Sequence, residues 1–154
     1  MSVPLPDKAR LIHQLRTILE ERKKVLETAL AAAKESRDND TKSSAGDKFE
    51  TGRAMMQQEM DKLEQQLGLL HQQIHQLQNI DSAVQHRHIG SGSLVKTDKN
   101  TYLLALAFGK LEVDDEVIWV ISTASPIAQK MLGKKAGETF EFQQQAKSQI
   151  ISIS

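Results

Sequence analysis

The chain has 154 residues, with 20 lysines and arginines balanced by 20 aspartates and glutamates, so its formal net charge is zero. Balanced charge argues against a general nucleic-acid coat, which needs a basic excess to displace counterions from phosphate. The absence of cysteine excludes a disulfide framework and fits a reducing cytoplasm. No apolar run reaches the ~20 residues that a helix needs to cross a bilayer. We therefore expect a cytoplasmic protein with no membrane partner.

The composition changes near the middle of the chain. Phe49 is the only aromatic residue before position 85, whereas the second half carries Tyr102, Phe108, Trp119, Phe140 and Phe142. The first half is rich in good helix formers, and the second alternates short β-branched runs with turn residues. The sequence therefore predicts an α+β protein with two domains, a helical one at 1–80 and a small sheet domain at 81–154.

Heptad spacing in the first half predicts two helices. Asp7 is placed to cap the first helix, and residues 7–35 contain no glycine or proline. Two apolar rows run along it, one with steps of three, four and seven at Leu11, Leu15, Ile18, Val25, Ala29 and Ala32, the other recurring every seven residues at Ile12, Leu19, Leu26 and Ala33. Residues 36–46 have turn composition. The heptad then resumes at Phe49, Arg53, Met56, Met60, Leu63, Leu67, Leu70, Ile74 and Leu77. We predict an antiparallel coiled-coil arm within one chain, with an acidic tip at 38–50.

Short strands and one short helix are predicted in the second half. The strands are expected at 89–95, 101–108, 117–122, 139–142 and 149–153, with Gly90 and Gly92 distorting the first of them. Between the third and fourth strands, Ser125 fits the N-cap of a helix, Pro126 its first position and Gly133 its C′ position. This pattern predicts a sheet covered by a helix on one face.

Two carboxylates at the tip are candidates for chemistry. Asp47 and Glu50 are three residues apart at the start of the second helix, so both lie on one face of it. Such a pair can ligate Mg²⁺, which takes one or two carboxylates and keeps water or phosphate ligands. The same spacing also fits a capping box, in which the two acids only satisfy backbone N–H groups. The residues alone leave both interpretations open.

Other polar clusters carry weaker signals. His71 and His75 have the i, i+4 spacing of a metal clamp, but no acid accompanies them and a solvated helix face is the simpler interpretation. Basic residues surround the tip, and they either form a solvated face or steer the tip towards phosphate: Lys34, Arg37, Lys42, Lys48 and Arg53.

Two stretches resemble one known family. The run Ile121-Ser-Thr-Ala-Ser-Pro-Ile-Ala-Gln-Lys-Met-Leu-Gly-Lys-Lys-Ala-Gly137 is similar to the C-terminal signature of the bacterial transcript-cleavage factors GreA and GreB. The run Gly46-Asp47-x-x-Glu50 resembles the acidic tip of their coiled coil. With the predicted arm, the resemblance covers nearly the whole chain.

The resemblance implies a function and a set of roles. It implies a C-terminal domain of FKBP-like fold, and a coiled coil inserted into the secondary channel of RNA polymerase. Asp47 and Glu50 would help to hold a Mg²⁺ of the polymerase active site while backtracked RNA is cleaved, so the chain needs no cofactor of its own and is not itself an enzyme. The loop Ala124-Ser125-Pro126-Ile127 would dock on the channel rim. We expect a monomer that meets nascent RNA only within the elongation complex.

Three alternatives stay open at this point. After Glu50 the chain reads Thr51-Gly-Arg-Ala54, where the family usually has Asn-Ala-Glu-Tyr, so a channel-binding regulator that does not stimulate cleavage is the second hypothesis. An FKBP-like chaperone or prolyl isomerase is a third, although few aromatic residues are present to line a proline pocket. A purely structural coiled-coil adaptor is the fourth.

Overall fold

A computed structural model describes residues 7–40 and 46–154, and the side chains of residues 7–39 and 51–154. Along the chain it contains α1 (Lys8–Asp40), α2 (Gly46–Gln78), β1 (Leu94–Thr97), β2 (Thr101–Leu104), β3 (Gly109–Val113), β4 (Glu116–Ile121), α3 (Pro126–Met131), β5 (Thr139–Phe140) and β6 (Ser148–Ile153). The predicted fold class is confirmed, because a helical hairpin precedes a small mixed sheet with one short helix. None of the described helices is long and apolar enough to cross a membrane.

The first helix begins where the sequence predicts but ends later. The Asp7 carboxylate accepts a hydrogen bond from the backbone N–H of Ala9 at 3.1 Å, which confirms the N-cap. At the other end α1 runs to Asp40, so the prediction of a turn from residue 36 was wrong for 36–40. Serine, aspartate and asparagine lower helix propensity by only about half a kcal/mol each, too little to stop a helix that is already formed. Residues 41–45 of the predicted turn lie outside the described chain.

Of the described residues, Arg16–Ile74 form one compact unit, the arm. The seam of α2 is buried from Met60 to Ile74, and Met60 and Leu63 share an apolar cluster with Ala33 of α1. Farther along α1, the Arg37 guanidinium donates to the side-chain carbonyl of Gln57, at 3.0 Å. A later residue of α1 thus meets an earlier residue of α2, so the two helices are antiparallel.

The two apolar rows of α1 are buried unequally within the arm. Leu19 and Ala33 are buried there, whereas Val25, from the other predicted row, is 68% exposed. Ala29 of that second row still packs against the cluster of Ala33, Met60 and Leu63, so the rows form one broad apolar stripe that is open to water at Val25. On α2, Arg53 is exposed and Met56 only half-buried, so the predicted seam is loosest at its tip end.

Residues 7–15 and His75–Ser154 form the second unit, the sheet unit. Its six strands have the order β3-β4-β2-β1-β6-β5, in which β2 and β4 are parallel and the other neighbours antiparallel. On one face α3 closes an apolar core made of Ile89, Val95, Tyr102, Leu104, Ala128, Met131, Phe140 and Ile150. The helix predicted between the third and fourth strands therefore covers the sheet as expected.

The strand predictions need four corrections, the first being that the predicted strand at 139–142 ends at Phe140. The sheet has six strands instead of five, because the hairpin of β3 and β4 turns at Asp114 and Asp115, which both have positive φ of 51° and 64°. The predicted strand at 101–108 ends at Leu104. The predicted strand at 89–95 begins only at Leu94, because Gly90 and Ser93 close a turn in which the Ser93 N–H donates to the Gly90 carbonyl at 3.1 Å.

The start of α1 belongs to the sheet unit through three polar side chains. Lys8 Nζ donates to the backbone carbonyls of Val84, at 2.9 Å, and of Gly92, at 3.1 Å. Arg10 forms a bidentate ion pair with Asp114 in the β3–β4 turn. The Gln14 amide donates to the Glu112 carbonyl at 3.2 Å, on the edge strand β3. The first two turns of α1 thus cover part of an otherwise open sheet edge.

The seam of the arm can be tested by placing a charge inside and outside it. Leu67 is 8% exposed, whereas Leu69, two residues away on the same helix, is 59% exposed. We expect Leu67→Asp to lower the free energy of unfolding by about 3 kcal/mol, because it buries an unpaired carboxylate. Leu69→Asp should change it by less than about 0.5 kcal/mol.

The measurement is urea unfolding followed by the helical circular dichroism signal, together with sedimentation. Equal losses for the two variants would contradict an intramolecular seam at Leu67. So would a dimer of the wild-type chain that Leu67→Asp dissociates.

Candidate functional site

The segment from Ser122 to Ile127 is a turn with an internally satisfied backbone. The Ser122 carbonyl accepts two hydrogen bonds from Ser125, one from its N–H at 3.0 Å and one from its hydroxyl at 2.7 Å. The Ser122 hydroxyl accepts one from the Ala124 N–H at 3.1 Å. The Gln129 amide closes the outside of the turn on the Thr123 carbonyl at 2.6 Å. We call this segment, for which docking is a prediction, the docking loop; its backbone is held by hydrogen bonds within the segment and from Gln129.

Ser125 fixes where the loop ends and α3 begins. It is extended at φ −65° and ψ 149°, and its hydroxyl accepts the Ala128 N–H at 3.3 Å. Pro126 follows at the first helical position, where its missing N–H costs nothing. At the other end Gly133, with a φ of +81°, occupies the C′ position. The predicted helix and both of its caps are confirmed.

The four predicted docking residues differ in exposure. Ala124 and Pro126 are exposed, and Ser125 is half-buried by its own cap. Ile127 is partly buried against the core beneath α3, so much of its side chain serves packing. A partner would therefore meet Ala124 and Pro126 first.

A cleft of about 390 Å³ lies beside the docking loop, lined by Ala107, Phe108, Gly109, Val120, Ile121, Ser122 and Ser125. It exists because β2 and β4 are parallel neighbours, with Leu104 opposite Ile121. The segments that follow these two strands leave the sheet at the same end, which places Phe108 near Ser125. Sequence reasoning assigned Phe108 to a strand and missed the cleft. The sequence signal for a break after Phe108 was the glycine at position 109, which has a φ of +107° in the structure.

The tip residues lie at the start of α2. Asp47 and Glu50 fall in its first two turns, and their side chains lie outside the part that the structure describes. The Lys48 side chain also lies outside that part, and Lys42 lies outside the described residues altogether. Among the described basic residues near the tip, Lys34 and Arg53 are exposed, whereas Arg37 binds Gln57 and forms an ion pair with Asp38. At least one of these cations therefore serves the arm's own structure.

The histidine pair shows no metal-site geometry in the described part of the chain. His71 and His75 are both exposed on α2. Within residues 7–39 and 51–154, whose side chains the structure describes, no group of three histidine or acidic side chains is placed to hold a metal ion. A solvated helix face accounts for both histidines.

The N-cap of α3 can be tested by removing the Ser125 hydroxyl, the oxygen that accepts the Ala128 N–H. Ser125→Ala removes the acceptor for the Ala128 N–H, and we expect it to lower the free energy of unfolding of the sheet unit by about 1 kcal/mol. Ser125→Asp keeps an acceptor and should retain most of that stability. Trp119, the only tryptophan, reports unfolding of this unit by fluorescence. Equal stability of Ser125→Ala and wild type would contradict the cap.

No protein-family model and no curated protein matches the sequence, whereas several solved structures are similar to the chain. The chain is similar to GreA factor homolog 1 (Gfh1) of Thermus thermophilus, with 18% identity and a TM-score of 0.36, over 90% of this chain and 94% of that one. Another structure, of the transcription factor Gfh1, has the same identity and TM-score over 90% and 92%. Thermus aquaticus Gfh1 is 18% identical, with a TM-score of 0.34, over 84% of this chain and 92% of that one.

Proposed function

We propose that the protein is a Gre-type transcription elongation factor that binds RNA polymerase and acts in the cytoplasm. The observation that carries the proposal is the docking loop, whose Ser-Pro helix start was expected from the resemblance to the cleavage factors. Its exposed Ala124 and Pro126 stand on a backbone that is already fixed by hydrogen bonds in the free protein. A pre-organised loop loses little entropy on association, which favours a docking role.

The dimensions of the arm support a further part of the proposal, in which the arm inserts into a channel of the polymerase. Within the arm, α1 contributes residues 16–40 and α2 residues 46–74, and each segment is roughly 40 Å long at 1.5 Å per residue. A pair of helices is narrow for that length, since each is about 10 Å in diameter. An element of these dimensions suits insertion into a channel.

At the tip, Asp47 and Glu50 are proposed as carboxylate ligands towards a Mg²⁺ ion of the polymerase. That ion would polarise a phosphodiester and activate water, as in two-metal hydrolysis. The factor would contribute charge and ligand oxygens, and the catalytic centre would remain the polymerase's own. Nascent RNA would then meet this chain only at the tip.

A channel regulator that does not stimulate cleavage is the second candidate, and Arg53 is the observation in its favour. Arg53 is exposed one turn after Glu50, at the i, i+3 position from which an arginine can pair with a carboxylate. Such a pair would compete with a metal ion for Glu50. The two candidates share the polymerase and differ only in what the tip does there.

Docking is tested by changing the exposed loop residues. Ala124→Asp should weaken binding to RNA polymerase about tenfold or more, equivalent to ~1.4 kcal/mol, because it adds a charge to a contact surface. Pro126→Ala should weaken it less. The matched control is Ala136→Asp, an exposed alanine in another loop of the same unit. Equal affinities for Ala124→Asp and Ala136→Asp, measured by competition binding, would remove the loop from the interface.

The tip is tested by transcript cleavage in stalled elongation complexes. If Asp47 and Glu50 are ligands, Asp47→Asn and Glu50→Gln should abolish stimulation while polymerase binding persists, and raised Mg²⁺ should restore part of it by mass action. Glu59→Gln, an exposed carboxylate farther along α2, is the control. If the acids only cap the helix, each change costs about 1 kcal/mol of stability and leaves cleavage intact.

One outcome separates the two candidates. A wild-type protein that binds polymerase but stimulates no cleavage at any Mg²⁺ concentration would overturn the cleavage role and leave the channel regulator. Arg53→Glu would then be the informative variant, because it removes the competing cation and restores the acid that the family has at this position.

A further inference from the structure

A second cavity lies in the sheet unit, away from the docking loop. It has a volume of about 280 Å³ and is lined by Asn79, Ile80, Asp81, Val84, His86, Ser91 and Gly92. These residues belong to the segment that connects the end of α2 to β1. Four of them carry polar side chains, which is the mixture typical of a small-ligand site.

The buried ammonium group of Lys8 is hydrogen-bonded to two of the residues that line this cavity. The Lys8 side chain is part of a residue only 5% exposed, and its two hydrogen bonds go to the carbonyls of Val84 and Gly92, both wall residues. An ammonium group has three N–H donors, so one is left without a partner among the described residues. Burial lowers the pKa of Lys8, and the nearby Asp81 carboxylate partly opposes that effect. The positive charge of Lys8 is thus only partly compensated by its two hydrogen bonds and by Asp81.

His86 adds a second titratable cation to the same place. Its ring is half-buried and makes no hydrogen bond among the described residues. Burial, and then the positive charge of Lys8, lower the pKa of His86. Among the described residues, the acid that acts on Lys8 is Asp81, which is exposed and already accepts the Ala83 N–H at 2.9 Å. When His86 is protonated, the cluster carries one positive charge in excess.

Gly92 keeps the walls of the cavity close together. Its φ is +89°, and a Cβ there would lie 3.2 Å from Cγ2 of Ile80 and 3.6 Å from Nε2 of His86. A Cβ at this position would be tight against Ile80 and in ordinary contact with the imidazole, and the positive φ would strain any other residue. The glycine therefore lets the His86 ring lie close to the peptide group whose carbonyl binds Lys8.

We propose that this cavity is a binding site for a small phosphate- or carboxylate-bearing anion, held by His86 on the wall and by the charge of Lys8 behind it. Ser91 and Asn79 supply neutral hydrogen-bond donors beside the two cations. The volume suits an inorganic anion or a short organic acid, since it lies just below the range of drug-sized pockets, about 300–1,000 Å³. This site is independent of the proposed function at the docking loop and the tip.

The site binds its anion more tightly at lower pH. The charged and titratable groups that face it are Lys8 from α1 and Asp81 and His86 from the connecting segment. Because burial lowers the pKa of His86, the ring becomes charged only below its ordinary titration range, and an anion stabilises that charged form. Anion affinity is therefore fully present below the pKa of His86 and falls as the pH rises through it.

The test follows the ring C–H signals of His86 by NMR in the full-length protein, with inorganic phosphate and acetate as separate probes. Phosphate should raise the pKa of His86 by about one unit, which corresponds to roughly tenfold tighter binding to the protonated ring. The shift should saturate, with a dissociation constant on the order of 1 mM. His88, an exposed neighbour, is the internal control and should show no saturable change. Acetate acting where phosphate does not would assign the site to carboxylates.

Variants check that the effect belongs to this cavity. Lys8→Met and Gly92→Ala should each reduce the phosphate-induced shift at least threefold, whereas His88→Gln should leave it unchanged. If either of the first two fails to fold, the wild-type titration alone decides, because it needs no substitution. Equal shifts at His86 and His88, or no shift at His86 with either anion, would overturn the proposal.

Discussion

A buried ammonium group sets how the sheet unit is assembled. Lys8 lies in the first turn of α1, yet its two acceptors belong to residues 84 and 92, far along the chain. A charge removed from water is tolerated only where such bonds compensate it. Lys8 thereby fixes the connecting segment against the start of α1, and the ion pair of Arg10 with Asp114 holds the same helix turn to the β3–β4 hairpin. The sheet unit is thus assembled from segments that are distant in sequence.

The elements that sequence reasoning located are those whose signals are local. The Asp7 and Ser125 caps each depend on one side-chain oxygen within three residues of the N–H that it accepts, so composition and spacing suffice to find them. The heptad pattern of the α2 seam repeats over many turns, so the sequence identifies it equally well. The hairpin turn at Asp114–Asp115 was missed because Asp-Asp is an uncommon pair for a turn with two positive φ values, which usually recruits Asn-Gly or Asp-Gly.

The parts that sequence could not supply depend on long-range pairing. Nothing near Lys8 in sequence indicates a buried cation, since its acceptors are carbonyls that any residue could provide. The cleft beside the docking loop depends on the parallel pairing of β2 with β4, which brings Phe108 to Ser125. The predicted docking residues were local and could be found, whereas the surface next to them could not. Asp47 and Glu50 stay predictions, since their side chains lie outside the described part of the chain.

The docking loop and the anion cavity are joined through the backbone at one residue. The Ile89 N–H donates to the Lys134 carbonyl at 2.9 Å, and the Ile89 carbonyl accepts the Gly133 N–H at 2.8 Å. Ile89, which lies three residues after His86 in the connecting segment, is therefore hydrogen-bonded to the C-terminal end of α3. The N-terminal end of the same helix is capped by Ser125 of the docking loop. Ile89 is also buried in the core beneath α3, so a substitution there would disturb both places at once. His86 and Ala124 lie on either side of this junction and outside that core, and for that reason they can be changed separately to distinguish anion binding from polymerase docking.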